Sequence, residues 1–143
     1  MLKLFTKKYW YNFYLPSELF YSISEVNSRS ITMLLEKKIN FKKITIQKIS
    51  NHLYYISICL NEEDLLIFEE YILNFKELIP PWLAFPNIFE GTPRWNQGHQ
   101  EDYCIGNWLP YWRDLSFLEK NQYMEKYSCP TEWKIWLSEN INF

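Results

Sequence analysis

The sequence predicts an α+β fold: a small antiparallel sheet with helices packed on one side, followed by a tryptophan-rich helical carboxyl-terminal segment. Three observations predict it. Lys43–Ile49 alternates between apolar and polar residues and is followed, after a polar turn, by a second β-prone run at Leu53–Leu60. Helical apolar stripes with recognisable start signals stand on either side of that hairpin. Residues 80–143 then hold six of the seven tryptophans, six of the seven prolines and all three glycines. At 143 residues the chain is read as a single domain with three parts: an α+β half (1–78), an aromatic, proline-rich loop (79–99) and a helical tail packed on it (100–143). A hydrophobic content of 48%, with 20% aromatic, is more than a disordered chain carries, so a packed core is expected.

Tyr9–Leu15 is aromatic and β-prone, and Pro16-Ser17-Glu18 offers a helix start with Ser17 as N-cap. Leu19, Phe20, Ile23, Ile31, Leu34 and Leu35 form a helical stripe, which Asn27-Ser28-Arg29-Ser30 can divide in two. In the hairpin, Ile44 and Ile46 face one way and Lys43, Thr45 and Gln47 the other, with Ser50-Asn51-His52 as the turn. Asn61-Glu62-Glu63-Asp64 caps a helix expected to run to about Glu77, acidic in its first turn where the macrodipole favours carboxylates. Leu65, Phe68, Ile72 and Phe75 are its inner stripe; Glu63, Glu70 and Glu77, seven apart, are its solvated line.

Ile79-Pro80-Pro81 ends that helix, because the residue before a proline avoids the helical region. The stretch through His99 lacks any period and reads as a loop pinned by Trp82, Phe85, Phe89 and Trp95. Beyond it, Trp108 and Trp112 share a helical face at i, i+4, and Pro110 predicts a kink or break there. Ser116-Phe117-Leu118-Glu119 is a capping box opening a helix with Phe117, Tyr123 and Tyr127. Cys129-Pro130-Thr131-Glu132 starts the last helix. Trp108, Trp112, Tyr123, Trp133 and Trp136 are assigned to the core.

Catalytic chemistry is hard to assemble from these residues. The two histidines, His52 and His99, stand in no nucleophile or metal motif, and there is no P-loop or dinucleotide fingerprint. His99 beside Glu101, Asp102 and Cys104 is the best catalytic cluster, yet on a helix Cys104 would point away from His99. Cys59, Cys104 and Cys129 are too dispersed for a disulfide framework, and a zinc site built from His99, Cys104 and Cys129 lacks a fourth ligand at metal-site spacing. No catalytic residue, metal or cofactor is expected. The amino terminus is broken by charge before a signal-length apolar run can form, and no stretch is long enough to span a bilayer. The chain is read as cytoplasmic and free of membrane.

The tail carries a likeness. Pro80-Pro81-Trp82…Phe85-Pro86, Trp95-x-x-Gly98-x-x-Glu101-Asp102-Tyr103, then Trp108, Tyr123, Tyr127, Pro130 and Trp133, resembles a family of small bacterial proteins that look like immunity proteins of contact-dependent growth inhibition and related polymorphic toxin systems. The likeness covers the tail alone, and Pro110 departs from the family's pattern. It implies a cognate inhibitor that binds one toxin domain and blocks its active site, which needs no catalytic residue.

Charge is consistent with that implication without requiring it. Residues 1–60 carry nine Lys/Arg against three Asp/Glu, and residues 61–143 carry six against fourteen. An acidic half suits a toxin with a basic, nuclease-type cleft, because a field of one sign steers an oppositely charged partner into contact. The competing explanation is that the two halves neutralise one another. Glu63, Glu70, Glu77, Glu90, Arg94, Trp95, Glu101 and Asp102 are the expected partner-facing residues. The alternative function is nucleic-acid binding by the basic hairpin Lys37–Lys48 with Tyr54 and Tyr55. The sequence sets no oligomeric state.

Overall fold

A computed structural model describes residues 7–90, 92–93 and 98–139. The chain divides into two compact units, residues 1–77 and 78–143.

In the first unit, β1 (Lys8–Tyr14), β2 (Lys43–Lys48) and β3 (Tyr54–Asn61) form an antiparallel sheet in the order β1-β3-β2. Register fixes which side chains meet: Tyr11 and Ile44 both lie opposite Ile58, and Phe13 and Ile46 both lie opposite Ile56. These residues therefore share the face covered by helices. The residues between them, Trp10, Asn12, Lys43, Thr45 and Ser57, share the other face. The predicted helical stripe is divided as expected into α1 (Ser17–Ser22) and α2 (Ser28–Glu36). The divider is chemical: the Asn27 Oδ1 accepts from the Ser30 N–H at 2.8 Å, and the Ser30 Oγ accepts from the Asn27 N–H at 2.9 Å. Ser17 is not the cap of α1. It is the first helical residue, buried, and Pro16 precedes it with extended backbone and no side-chain cap bond.

α3 (Glu62–Ile72) is capped by Asn61, whose Oδ1 accepts from the Asp64 N–H at 2.8 Å. Phe68 is its fully buried anchor, packed with Ile39, Ile58 and Leu60 and ringed by Tyr11 and Phe13 at centroid distances of 5.1 and 5.3 Å. The helix ends five residues before the expected Glu77. The Asn74 amide donates to the Tyr71 carbonyl, and Glu77 is engaged elsewhere. Its carbonyl accepts from the Ser17 N–H at 2.8 Å and its own N–H donates to Glu18 Oε1 at 2.9 Å. A residue giving both backbone groups to α1 cannot continue α3.

The second unit is helical and tryptophan-rich. Its first part is more ordered than the expected loop. Pro80-Pro81 pre-set the backbone for a one-turn helix, α4 (Pro81–Ala84), because proline is favoured at the first helical position. A short ladder, β4 (Phe89–Glu90) with β5 (Thr92–Pro93), follows. α5 (His99–Tyr103), a π-helical turn (Cys104–Trp108) and α6 (Leu109–Asp114) then run on with helical backbone. Pro110 does not break this segment. The Leu109 N–H donates to the Cys104 carbonyl, one residue farther back than in an α-helix, and the wider turn sits where the ring would otherwise press on the Gly106 carbonyl. Trp108 and Trp112 remain on one face and stack at 5.3 Å.

α7 (Phe117–Lys126) opens with the predicted Ser116/Glu119 capping box, which holds the Glu119 carboxylate below its usual proton affinity through the Ser116 backbone N–H and then its hydroxyl. It closes in a Schellman motif: Cys129 N–H to the Met124 carbonyl and Ser128 N–H to the Glu125 carbonyl, with Ser128 at φ 50°. α8 (Thr131–Glu139) follows, its first bond running from the Lys134 N–H to the Pro130 carbonyl. Trp82 from α4 sits among Trp108, Tyr123 and Trp133 at 5.7–6.1 Å, and its indole N–H donates to the Tyr127 carbonyl at 2.9 Å. The expected core holds for Trp108, Trp112, Tyr123 and Trp133, all buried, while Trp136 is half-buried. Phe117, the first residue of α7, is 84% exposed.

Candidate docking surface

The outward face of α3 combines exposed apolar side chains with carboxylates. With Phe68 turned to the sheet, Glu62, Leu66, Glu69 and Leu73 form one ridge and Glu63, Ile67 and Glu70 the next. All seven are exposed, Leu66 and Leu73 by 64% and 65%. Single exposed leucines need no explanation; three large apolar side chains within two adjacent ridges form a patch of the kind that marks a contact surface.

The electrostatics of the face are one-signed. α3 contains no lysine or arginine, so no cation on the helix itself neutralises its carboxylates. Three acids lie in the first turn, where the helix dipole stabilises them, but Glu69 and Glu70 lie near the carboxyl end, where it does not. Glu69 also faces the sheet edge: the Tyr11 hydroxyl is pushed to higher pKa first by burial and second by the Glu69 charge.

Of the eight expected contact residues, Glu63 and Glu70 lie on this face. Glu77 does not, being half-buried and bonded through its backbone to α1. Glu101 and Asp102 are exposed in the first turn of α5, in the other unit. Arg94 and Trp95 lie outside the described residues, as does the side chain of Glu90. Sequence reasoning missed Leu66, Ile67 and Leu73. The available signal was the crowding of apolar residues from Leu65 to Leu73, more than one inner stripe can use.

The other expected sites also resolve. Tyr54 is 3% exposed and its hydroxyl donates to the Val26 carbonyl, so it cannot stack on a nucleic-acid base. Tyr55 is half-buried and packs on Tyr14 at 4.8 Å. Lys43 and Lys48 occupy opposite faces of β2 by their register. Cys59, Cys104 and Cys129 are buried free thiols. Burial raises the proton affinity of Cys104 far above the range in which a His99 pairing would yield a thiolate, and it pushes Cys129 up to about 12. Among the described residues no group of three His, Cys, Asp or Glu side chains is placed to hold a metal, and no helix is long and apolar enough to cross a membrane.

No protein-family model, curated protein or solved structure matches this chain.

Proposed function

We propose that this protein is an immunity protein: a cytoplasmic, non-catalytic inhibitor that binds a cognate toxin domain, of nuclease type, and occludes its basic cleft. The observation that carries this reading is the outward face of α3, where carboxylates surround Leu66, Ile67 and Leu73. Apolar side chains supply the desolvated centre that a stable interface requires, and the surrounding carboxylates steer a basic partner and select its orientation. The tail's likeness to immunity proteins supports the same conclusion. Co-expression with the toxin encoded by the neighbouring gene, followed by pull-down and a growth assay, tests it. A stable complex and rescued growth are expected, with association slowed at least about tenfold by Glu62→Lys, Glu69→Lys and Glu70→Lys together. Absence of both complex and rescue removes the reading.

A second reading, binding of single-stranded nucleic acid, is favoured by one observation. Trp10 is 54% exposed on the sheet face opposite the helices, in a row with Cys59 and Lys43. It requires retention on a polyanion column that Trp10→Ala with Lys43→Glu abolishes.

A further inference from the structure

The second unit carries a groove that the inhibitor reading does not use. It lies between α7 and α8, with a volume of about 320 Å³, and is lined by Trp112, Phe117, Met124 and Leu137, with Lys120 and Lys134 among them. Its lining includes no carboxylate. The Lys120 ammonium stands over the Trp112 ring at 5.5 Å, so one cation is held at the apolar surface itself. Phe117, at the groove, is 84% exposed, and Leu118 and Ile135 on the same two helices are more than half exposed. Open apolar side chains of this kind suit an apolar helix face better than a small molecule confined to a cleft.

We propose that this groove receives α3 of a second copy of the chain. The two surfaces correspond in three respects. Their charges are opposite: α3 presents Glu62, Glu69 and Glu70 without a lysine or arginine, and the groove presents Lys120 and Lys134 without a carboxylate. Both are apolar at the centre, with Leu66 and Leu73 on the helix and Phe117, Met124 and Leu137 in the groove. Their spacing also agrees. Leu66 and Leu73 are seven residues apart, as are Phe117 and Met124, so each pair spans about 10.5 Å of helix axis and the four side chains can interleave. Because the helix and the groove belong to different surfaces of one chain, the contact is head-to-tail. A head-to-tail pair as a whole still offers one free α3 and one free groove, so assembly can proceed to rings or short filaments. The inference does not depend on the toxin reading; a toxin seated on α3 would compete with self-assembly and return the protein to single copies.

Sedimentation velocity on mixed variants tests it. Wild-type protein at concentrations up to about 1 mM should sediment faster as concentration rises, the expected behaviour of a contact at the small end of the interface range. Leu66→Glu with Leu73→Glu removes the helix surface; Lys120→Glu with Lys134→Glu reverses the groove. Both sets lie at exposed or half-exposed positions, so circular dichroism should be unchanged. Each variant alone should remain a single copy. An equimolar mixture should recover association but stop at the dimer, because only one productive contact remains. Three outcomes overturn the proposal: wild type monomeric throughout, either variant assembling like wild type, or a mixture that stays monomeric while wild type assembles. None of these readouts involves a toxin, so failure here and failure of the inhibitor reading are separable.

Discussion

The Trp108 indole N–H donates to the Tyr123 hydroxyl at 3.0 Å, and that hydroxyl donates onward to the Leu78 carbonyl. One residue along, the Tyr103 hydroxyl donates to the Ile79 carbonyl at 2.5 Å. Two tyrosines on different helices therefore satisfy consecutive carbonyls where the chain enters its second unit. The expected aromatic core is thus also a polar network, and each member carries a partner's buried group.

Removing that hydroxyl should be costly. Tyr123→Phe keeps the ring but leaves the Trp108 N–H and the Leu78 carbonyl without this partner, and a buried unsatisfied group costs about 1–3 kcal/mol. A loss of roughly 2–4 kcal/mol by urea denaturation is expected. Trp108→Phe removes the same bond from the other end, so the double variant should lose less than the sum of the two singles. Strict additivity would show that the bond contributes nothing.

Alkaline pH should destabilise the protein through buried acids. Tyr123 is raised well above its ordinary value, mainly by burial and then by neighbouring Tyr103; Cys104 is raised by burial, and Cys129 to about 12. A raised folded pKa means that the stabilisation is complete below the unfolded-state pKa and is lost as pH climbs toward the folded one. Stability should therefore hold to about pH 8.5, the ordinary thiol value, and fall above it as the unfolded chain alone releases protons. Urea midpoints from pH 7 to 11 check this. Cys104→Ala should lessen the slope between pH 9 and 11.

Two backbone positions make opposite predictions. Ser128 holds φ 50° in the Schellman motif, a region that costs a side chain about 1 kcal/mol, so Ser128→Gly should raise stability by up to about that amount. Gly98 precedes α5 at φ 92°, ψ −135°, a conformation left almost entirely to glycine. Among the described residues nothing lies within 4 Å of a Cβ placed there. A drop of about 1–3 kcal/mol for Gly98→Ala would thus report backbone strain alone, and no change in melting temperature would refute that assignment.

What the sequence disclosed was mostly local. Ile44 and Ile46 signalled β2 because period two is a property of the strand itself, and Asn61 and the Ser116/Glu119 pair signalled helix starts because a cap needs only its own first turn. What it concealed was set by distant partners. Glu77 fits the seven-residue line of α3, but its backbone is taken by Ser17 and Glu18, sixty and fifty-nine residues earlier in the chain. Tyr54 looks stackable in a basic hairpin until its hydroxyl meets Val26. Pro110 forbids an α-helical bond, but no local rule says whether a chain will break or widen by one residue. The candidate site was half legible: its carboxylates follow from composition, whereas the exposure of Leu66 and Leu73 depends on where Phe68 anchors the helix.

That anchoring leads to the last prediction, in which stability and binding oppose each other. Glu69 and Glu70 sit near the carboxyl end of α3, which has no basic residue in its last turn, so both charges oppose the negative end of the dipole. Glu69→Lys and Glu70→Lys should each stabilise the fold by about 0.3–1 kcal/mol at low salt, with the gain fading as salt rises. Yet both should weaken capture of a basic partner and slow its association. The proposed contact would account for acids kept where the helix's own stability disfavours them, since function can be held at a cost in stability. Thermal melts in low and high salt, paired with association rates for the same two variants, check both halves. If either lysine destabilises the fold at low salt, those glutamates belong to the protein's own packing and α3 ceases to be a docking helix.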